Sequence, residues 1–324
     1  KNFILKPDGT PYKMYRDDMQ QAWNSETYAE IRKQLLNGER PEMCTRCFRE
    51  EDAGIRSARQ AWNEKWSEDK QYTEDAPFDI KYVDLRLSNL CNLKCRTCNP
   101  YASNMWVKEW ASVETALSES EYKRLSRMDW PEEEKTWENL FAIAHTVEEI
   151  YLTGGEPMMV KGLHKFLQKL DSSVEVRFNT NATIMNPNIY EELKRFETVN
   201  MCFSIDGIGK GNDYIRWGSD WDTIEYNLNK FREVADVSLG PTVQVMNVLD
   251  HDTYIEYAQA NDLEIFDNLL MTPDSLHIKN APQAMKDNIK HFDYWMSQPT
   301  SIEKQDEFRK WIGVLDKHRG VNIK

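Results

Sequence analysis

Long apolar runs are missing from this chain of 324 residues. The longest uninterrupted one is Leu140–Ala144, far short of the ~20 residues a membrane span needs. The N-terminus, Lys1-Asn2-Phe3-Ile4-Leu5-Lys6, lacks the apolar core of a secretory signal. The sequence therefore reads as that of a soluble protein without a membrane partner. Positive charge is also scarce. Against 54 Asp and Glu stand 41 Lys and Arg, a net charge of -13, which argues against a nucleic-acid partner because phosphate binding needs clustered cations. Cysteine is sparse too, at six residues, too few for a disulfide scaffold. Their close spacing suits metal binding in a reducing cytoplasm. The histidines show no ligand-like spacing, and Gly207–Gly211 lacks the spacing and terminal Lys-Ser/Thr of a phosphate loop. There is no internal repeat and no low-complexity tract.

What is present is enough apolar residue, 40% of the chain, to bury a core. Residues 1–63 form an opening block, with helical periodicity over Asp17–Asn37, and the charged stretch Glu64–Pro77 reads as a linker. From Ile80 the pattern alternates. Strand-like runs at Ile80–Leu87, Val147–Thr153, Val174–Thr180, Val199–Ile205, Thr242–Leu249 and Leu263–Met271 are separated by helix-like runs. Between the first two lies the acidic stretch Ser118–Glu138, read as a helical insertion. Six strands alternating with helices predict an α/β fold with a mostly parallel sheet, a partial (β/α)6 TIM-like barrel. The expected division is an N-terminal cysteine-bearing extension with its linker (1–79), the barrel (80–271), and C-terminal helices (272–324), two of them within residues 281–318.

The strongest chemical signal is Cys91-Asn92-Leu93-Lys94-Cys95-Arg96-Thr97-Cys98, placed at the C-terminal end of the first strand, where barrel enzymes put their chemistry. Three thiolates on one short loop can hold three irons of a cubane and leave the fourth open. A structural zinc knuckle pairing Cys44/Cys47 with Cys95/Cys98 is the plainer alternative, and it leaves Cys91 without a role. With Thr153-Gly154-Gly155-Glu156-Pro157 after the second strand, this pattern resembles the radical S-adenosylmethionine (SAM) superfamily. The resemblance implies a [4Fe–4S] cluster on Cys91, Cys95 and Cys98 whose open iron chelates SAM. It also implies SAM contacts from Thr153, Gly154, Gly155 and Glu156. Here the glycines would let backbone carbonyls approach the ligand while Glu156 holds an ammonium. Asn181 after the third strand, Ser204 and Asp206 after the fourth, Arg216, and Asn247 at the end of the fifth complete the implied contacts. Thr97 departs from the aromatic residue that many relatives have there. The implied chemistry is reductive cleavage of SAM to a 5′-deoxyadenosyl radical, which abstracts hydrogen from a substrate, the electron coming from a flavodoxin- or ferredoxin-like donor.

Cys44-Thr45-Arg46-Cys47 and its surroundings resemble the N-terminal block of a twitch-domain subgroup of that superfamily, in which such cysteines hold an auxiliary iron–sulfur cluster. Relatives have further cysteines near the start; here Phe3, Asp8-Gly9 and Tyr12–Tyr15 stand in comparable places. An auxiliary cluster, a zinc site and an empty site therefore all remain open for Cys44 and Cys47. A lone Cys202 beside Phe203 reads as a buried thiol. The expected substrate is a peptide or protein, with a nucleotide, sugar or other small molecule as the alternative. The non-enzyme alternative is a catalytically silent zinc-binding interaction module.

Overall fold

The computed structural model describes residues 3–66, 72–114 and 117–321. The chain divides into two compact units, Lys1–Ile80 with Glu133–Thr146, and Lys81–Glu132 with Val147–Lys324. No helix among the described residues is long and apolar enough to cross a membrane.

The first unit is helical, with helices at Met19–Trp23, Glu26–Leu36, Thr45–Asp52, Ala58–Trp66 and Glu134–Ile143. The periodicity over Asp17–Asn37 resolves into two helices, because the Ser25 side chain accepts from the Tyr28 N–H and starts a new one. Helix Glu134–Ile143 is tied to the start of the chain by Asn139, whose Nδ2 donates to the carbonyls of Met14 at 2.7 Å and Asp17 at 2.8 Å. Of the predicted linker, residues 64–66 are helical, residues 67–71 lie outside the described residues, and the rest has no regular structure.

In the second unit, strands β1 (Tyr82–Leu87), β2 (Glu149–Gly154), β3 (Glu175–Thr180), β4 (Val199–Phe203), β5 (Asp236–Leu239) and β7 (Glu264–Ile265) form one sheet in that order. Every neighbouring pair is parallel. All their C-terminal ends therefore lie at one edge, as expected for a partial (β/α)6 barrel. β6 (Thr242–Val243) and β8 (Asn268–Leu269) make a small parallel pair of their own.

The strands alternate over most of their length, and the two faces differ. Leu85, Leu87, Ile150, Leu152, Val176, Phe178, Met201 and Phe203 are buried on one face. With Phe166, Leu193, Leu228 and Phe231 from the connecting helices also buried, this is the core. Each such side chain contributes about 1.5–3 kcal/mol. The register places Asp84, Tyr151, Arg177, Asn200 and Asp236 in one row across the other face. Asn179, Cys202 and Ser238 follow in the next row. A parallel sheet covered on both sides reads apolar throughout; this one has a polar face.

The fifth strand differs from the expected Thr242–Leu249. It lies earlier, because Pro241 has no N–H to continue a ladder. A Cβ at the preceding Gly240 would come within 2.5 Å of the Cys202 sulfur. The segment Val243–Leu249 instead turns into the 3-10 segment Val248–Asp250. The insertion Ser118–Glu138 forms Glu119–Ser126, the 3-10 turn Trp130–Glu132 and the start of Glu134–Ile143. At the C-terminus two very short helices precede a single long one, Ile302–Arg319, where two closing helices were expected.

Candidate functional site

The three cysteines sit on the loop leaving β1. Cys91 and Cys95 are buried and Cys98 half-buried, packed around Leu93. The loop is irregular, so its polar backbone must find partners outside a ladder. Lys94 and Arg96 donate their N–H groups to the carbonyls of Trp217 at 2.9 Å and Ile215 at 2.8 Å. The Cys91 N–H goes to Asn104 Oδ1 at 3.0 Å. Burial pushes the Cys91 thiol up to about 11. The hydrogen bond from Cys95 to Cys98 raises Cys95 and lowers Cys98, and the Arg216 charge favours the thiolate of both.

The glycines of Gly154-Gly155 bring the end of β2 close to the chain at Leu87–Leu90. Gly154 has φ +129°, and a Cβ on Gly155 would lie 2.2 Å from the Leu90 carbonyl oxygen. Only glycine allows this approach, and it lets Gly155 N–H reach Ser88 O at 3.1 Å and Glu156 N–H reach Leu90 O at 2.7 Å. The glycines thus dock the end of β2 onto the entry to the cysteine loop.

Glu156 is fully buried. Its Oε1 accepts from Met158 N at 3.0 Å and Thr180 Oγ1 at 2.9 Å, and its Oε2 accepts from Asn181 N at 2.8 Å. Desolvation pushes its carboxyl up to about 7 against those bonds. Three of its roughly four acceptor positions are therefore spent on the chain itself. Asn181 carries the link onward, with Nδ2 2.9 Å from Asn92 Oδ1 and 3.8 Å from the Cys91 sulfur.

Asp206 and Arg216 meet each other. The guanidinium holds the buried carboxylate through Nε at 2.9 Å and Nη2 at 3.0 Å, and Asp206 Oδ1 also accepts from Thr242 N at 2.7 Å. Asn247 lies in the loop after β6, not at a strand end. Its Nδ2 donates to Asp206 O and Thr242 O, each at 3.0 Å, and its Oδ1 accepts from Gln244 N at 2.8 Å. Its polar atoms thus tie the loop together. Thr153 is on β2, in the row between Arg86 and the position of Asn179.

Two cavities adjoin these residues. One of about 320 Å³ is lined by Asp206, Val243, Met246, Asn247, His251 and Tyr254, among others. Tyr254 is buried, and its hydroxyl has no hydrogen-bond partner among the described residues. Sequence reasoning passed over it, since a tyrosine in a predicted helix carries no signal of its own. The other, about 1300 Å³, lies against the polar face of the sheet and includes Ser204 and Cys202 in its wall. Its signal was present in the period-two alternation of the strands and went unused. Cys202 is half-buried there, and burial raises its thiol.

Residues 85–263 match the radical SAM superfamily, more than half the chain. The chain belongs to this superfamily. Its enzymes work with a [4Fe–4S] cluster and SAM. Among curated relatives, a GTP 3',8-cyclase from Helicobacter pylori is 25% identical over 217 residues, covering 64% of this chain and 60% of the cyclase. The sporulation killing factor maturation protein SkfB from Bacillus subtilis is 25% identical over 171 residues, 51% of this chain and 35% of SkfB. This radical SAM chain thus spans about 60% of the length of that cyclase relative. A solved structure, SuiB from Streptococcus suis, matches at a TM-score of 0.43 and 14% identity, over 87% of this chain and 60% of SuiB.

The donor set on the β1 loop suits a thiolate-held cluster in residue type and grouping: three thiols packed together on one short loop. The second pair does not make a complete set. Cys44 precedes helix Thr45–Asp52 and Cys47 lies one turn into it, so both share a face. Two thiols are half of a four-ligand site. Among the described residues no three Cys, His, Asp or Glu side chains gather as a single metal ion requires.

Proposed function

We propose that Cys91, Cys95 and Cys98 hold a [4Fe–4S] cluster at the C-terminal edge of the sheet, and that a polar peptide segment is the substrate, seated in the cavity against the polar face. When bound, the cluster and SAM supply one-electron cleavage of the sulfonium and hydrogen abstraction. The protein's own residues do the positioning. Glu156 and Asn181 bracket the cysteine loop from β2 and β3, while Asp206, Arg216 and Asn247 fix the loops after β4 and β6. We assign the SAM contacts to Thr153, Gly154, Gly155, Glu156, Asn181, Ser204, Asp206, Arg216 and Asn247, and the electron comes from a flavodoxin- or ferredoxin-like donor.

The observation that carries the substrate reading is the charge of the large cavity. Among the described residues its charged lining is Glu175, Asp236, Asp262, Glu264 and Asp267 against Arg177 and Arg232; Glu175, Asp236 and Glu264 begin their strands, at the edge away from the cysteine loop, and Asp267 follows β7 on the cysteine side. Arg177 already faces Glu149 at 3.2 Å and Glu175 at 4.0 Å. The cyclase relatives are named for GTP, and a triphosphate needs clustered cations that this wall lacks. A neutral or cationic peptide meets no such penalty.

The twitch-like reading of residues 1–79 rests on the motif around Cys44 and Cys47. These two thiols supply half of an auxiliary cluster's ligands, and no step is routed through one.

The test is isotopic. The reconstituted protein is incubated with SAM, reductant, and either deuterated GTP or a peptide digest from cells grown in deuterated medium. Deuterium in 5′-deoxyadenosine from the peptides alone is the expected result. Deuterium from GTP alone would overturn the peptide reading, and zinc in place of iron would overturn the cluster.

A further inference from the structure

Between its cysteines, the β1 loop has four consecutive carbonyls that no strand or helix can satisfy, and a different side chain takes each one. Leu93 O accepts from Ser103 Oγ at 2.6 Å, Lys94 O from Arg319 Nη2 at 3.0 Å, Cys95 O from Trp106 Nε1 at 3.1 Å, and Arg96 O from Trp311 Nε1 at 3.1 Å. Two of the four donors come from the helix Ile302–Arg319, more than 200 residues further along the chain.

The same helix also holds the loop's charged side chains. Arg96 is almost wholly buried. It pairs with Asp316 at 2.6 Å and lies 3.8 Å above the Tyr214 ring, whose hydroxyl reaches Asp316 at 3.2 Å. Arg319 Nε bonds Glu109 at 2.9 Å, and Glu109 also pairs with Lys94. Trp311 stacks on Trp106 with ring centroids 5.7 Å apart. Among the described residues, both buried terminal nitrogens of Arg96 and one of Arg319 lack a hydrogen bond, Arg96 Nη2 being ion-paired with Asp316. Ordinary packing of a last helix onto a barrel would need apolar contact only. Here the contact goes to the backbone of one short functional segment.

We propose that the C-terminal helix is the positioning element of the cysteine loop. Trp311 and Arg319 fix the backbone between Cys91 and Cys98 in one conformation, and Asp316 anchors Arg96. Side-chain partners around iron–sulfur ligands set orientation and potential, so the helix also tunes whatever those thiols hold. The second half of this statement rests on the ligand role proposed above; the first does not.

The test uses full-length Trp311→Phe, Arg319→Gln and Arg319→Lys. In the metal-free protein, amide hydrogen exchange over residues 92–98 rises about tenfold in Trp311→Phe and Arg319→Gln, while β1–β4 keep their protection. Arg319→Lys, which retains a donor for Lys94 O, rises less. Unchanged exchange in the loop would overturn the proposal, as would a rise spread equally over β1–β4. After reconstitution, the spectrum of the reduced centre shifts in Arg319→Gln and returns towards the parent in Arg319→Lys; a parent-like spectrum in both would contradict the tuning. Iron surviving in a Cys91→Ala/Cys95→Ala/Cys98→Ala variant would refute the ligand reading, and the exchange result would still decide the clamp.

Discussion

The chain has two cysteine sites with the same Cys-x-x-Cys spacing at their core, and they are built differently. Cys95-Arg96-Thr97-Cys98 lies in an irregular loop whose backbone is held by the side chains of Ser103, Asn104, Trp106, Trp311 and Arg319 and by the carbonyls of Ile215 and Trp217. Cys44-Thr45-Arg46-Cys47 lies at the start of a regular helix whose backbone satisfies itself. The first carries buried guanidinium–carboxylate pairs. Around the second, Arg40–Asp52 is exposed on both sides and Arg59–Glu51 is only partly buried. Spacing puts thiols within reach of one another. What separates a proposed catalytic centre from an incomplete one is the shell that fixes the loop.

Substitutions can break or sharpen this contrast. The largest effect is expected from Asp206→Asn, which leaves the buried Arg216 without its counter-charge and should cost about 3–5 kcal/mol in denaturant unfolding. Asp52→Asn at the exposed pair should leave the unfolding curve unchanged within error. Next comes Gly155→Ala, whose methyl would collide with the Leu90 carbonyl. A loss of about 3 kcal/mol is expected, with iron binding lost alongside. Gly54→Ala, just after the Cys47 helix, has φ +73° and nothing within 4 Å of the added methyl. It should cost only the left-handed backbone preference, about 1 kcal/mol.

A pH effect follows from Glu156. Its carboxyl is raised from 4.5 to about 7 in the folded state by burial, so the folded chain binds that proton more tightly than the unfolded chain. Stability from this group is greatest below about 4.5 and falls as pH rises through about 7. Denaturant midpoints at pH 5 and pH 8 should show this fall in the parent, and Glu156→Gln should lack that component. The variant should also be less stable at pH 5, because an amide cannot accept from Asn181 N–H with its nitrogen, at a cost of about 1–3 kcal/mol.

Much of this was legible in the sequence. Cys91, Cys95, Cys98 and the Gly154-Gly155-Glu156 turn are local patterns, and they stand where strand alternation put them, at the ends of β1 and β2. The placement of the fifth strand was not legible. Val243-Gln244-Val245 alternates like a strand, and that pattern masks the break at Pro241 just before it. The roles of Glu156 and Asn247 were hidden for a related reason. A carboxylate or amide at a strand end carries no local sign of the partners, distant in sequence, that its polar atoms reach. Trp311, Asp316 and Arg319 illustrate the limit, since their helix reads as a closing segment and their partners lie around Lys94 and Arg96.

The central claim is that one loop, and not the other cysteine pair, carries the cluster. It is tested most directly by iron and sulfide per chain after anaerobic reconstitution of Cys91→Ala/Cys95→Ala/Cys98→Ala and Cys44→Ala/Cys47→Ala beside the parent. The account predicts that the triple variant loses all iron and sulfide, while the double variant keeps the parent's content. Iron and sulfide retained in the triple variant would contradict it and make Cys44 and Cys47 cluster ligands in their own right.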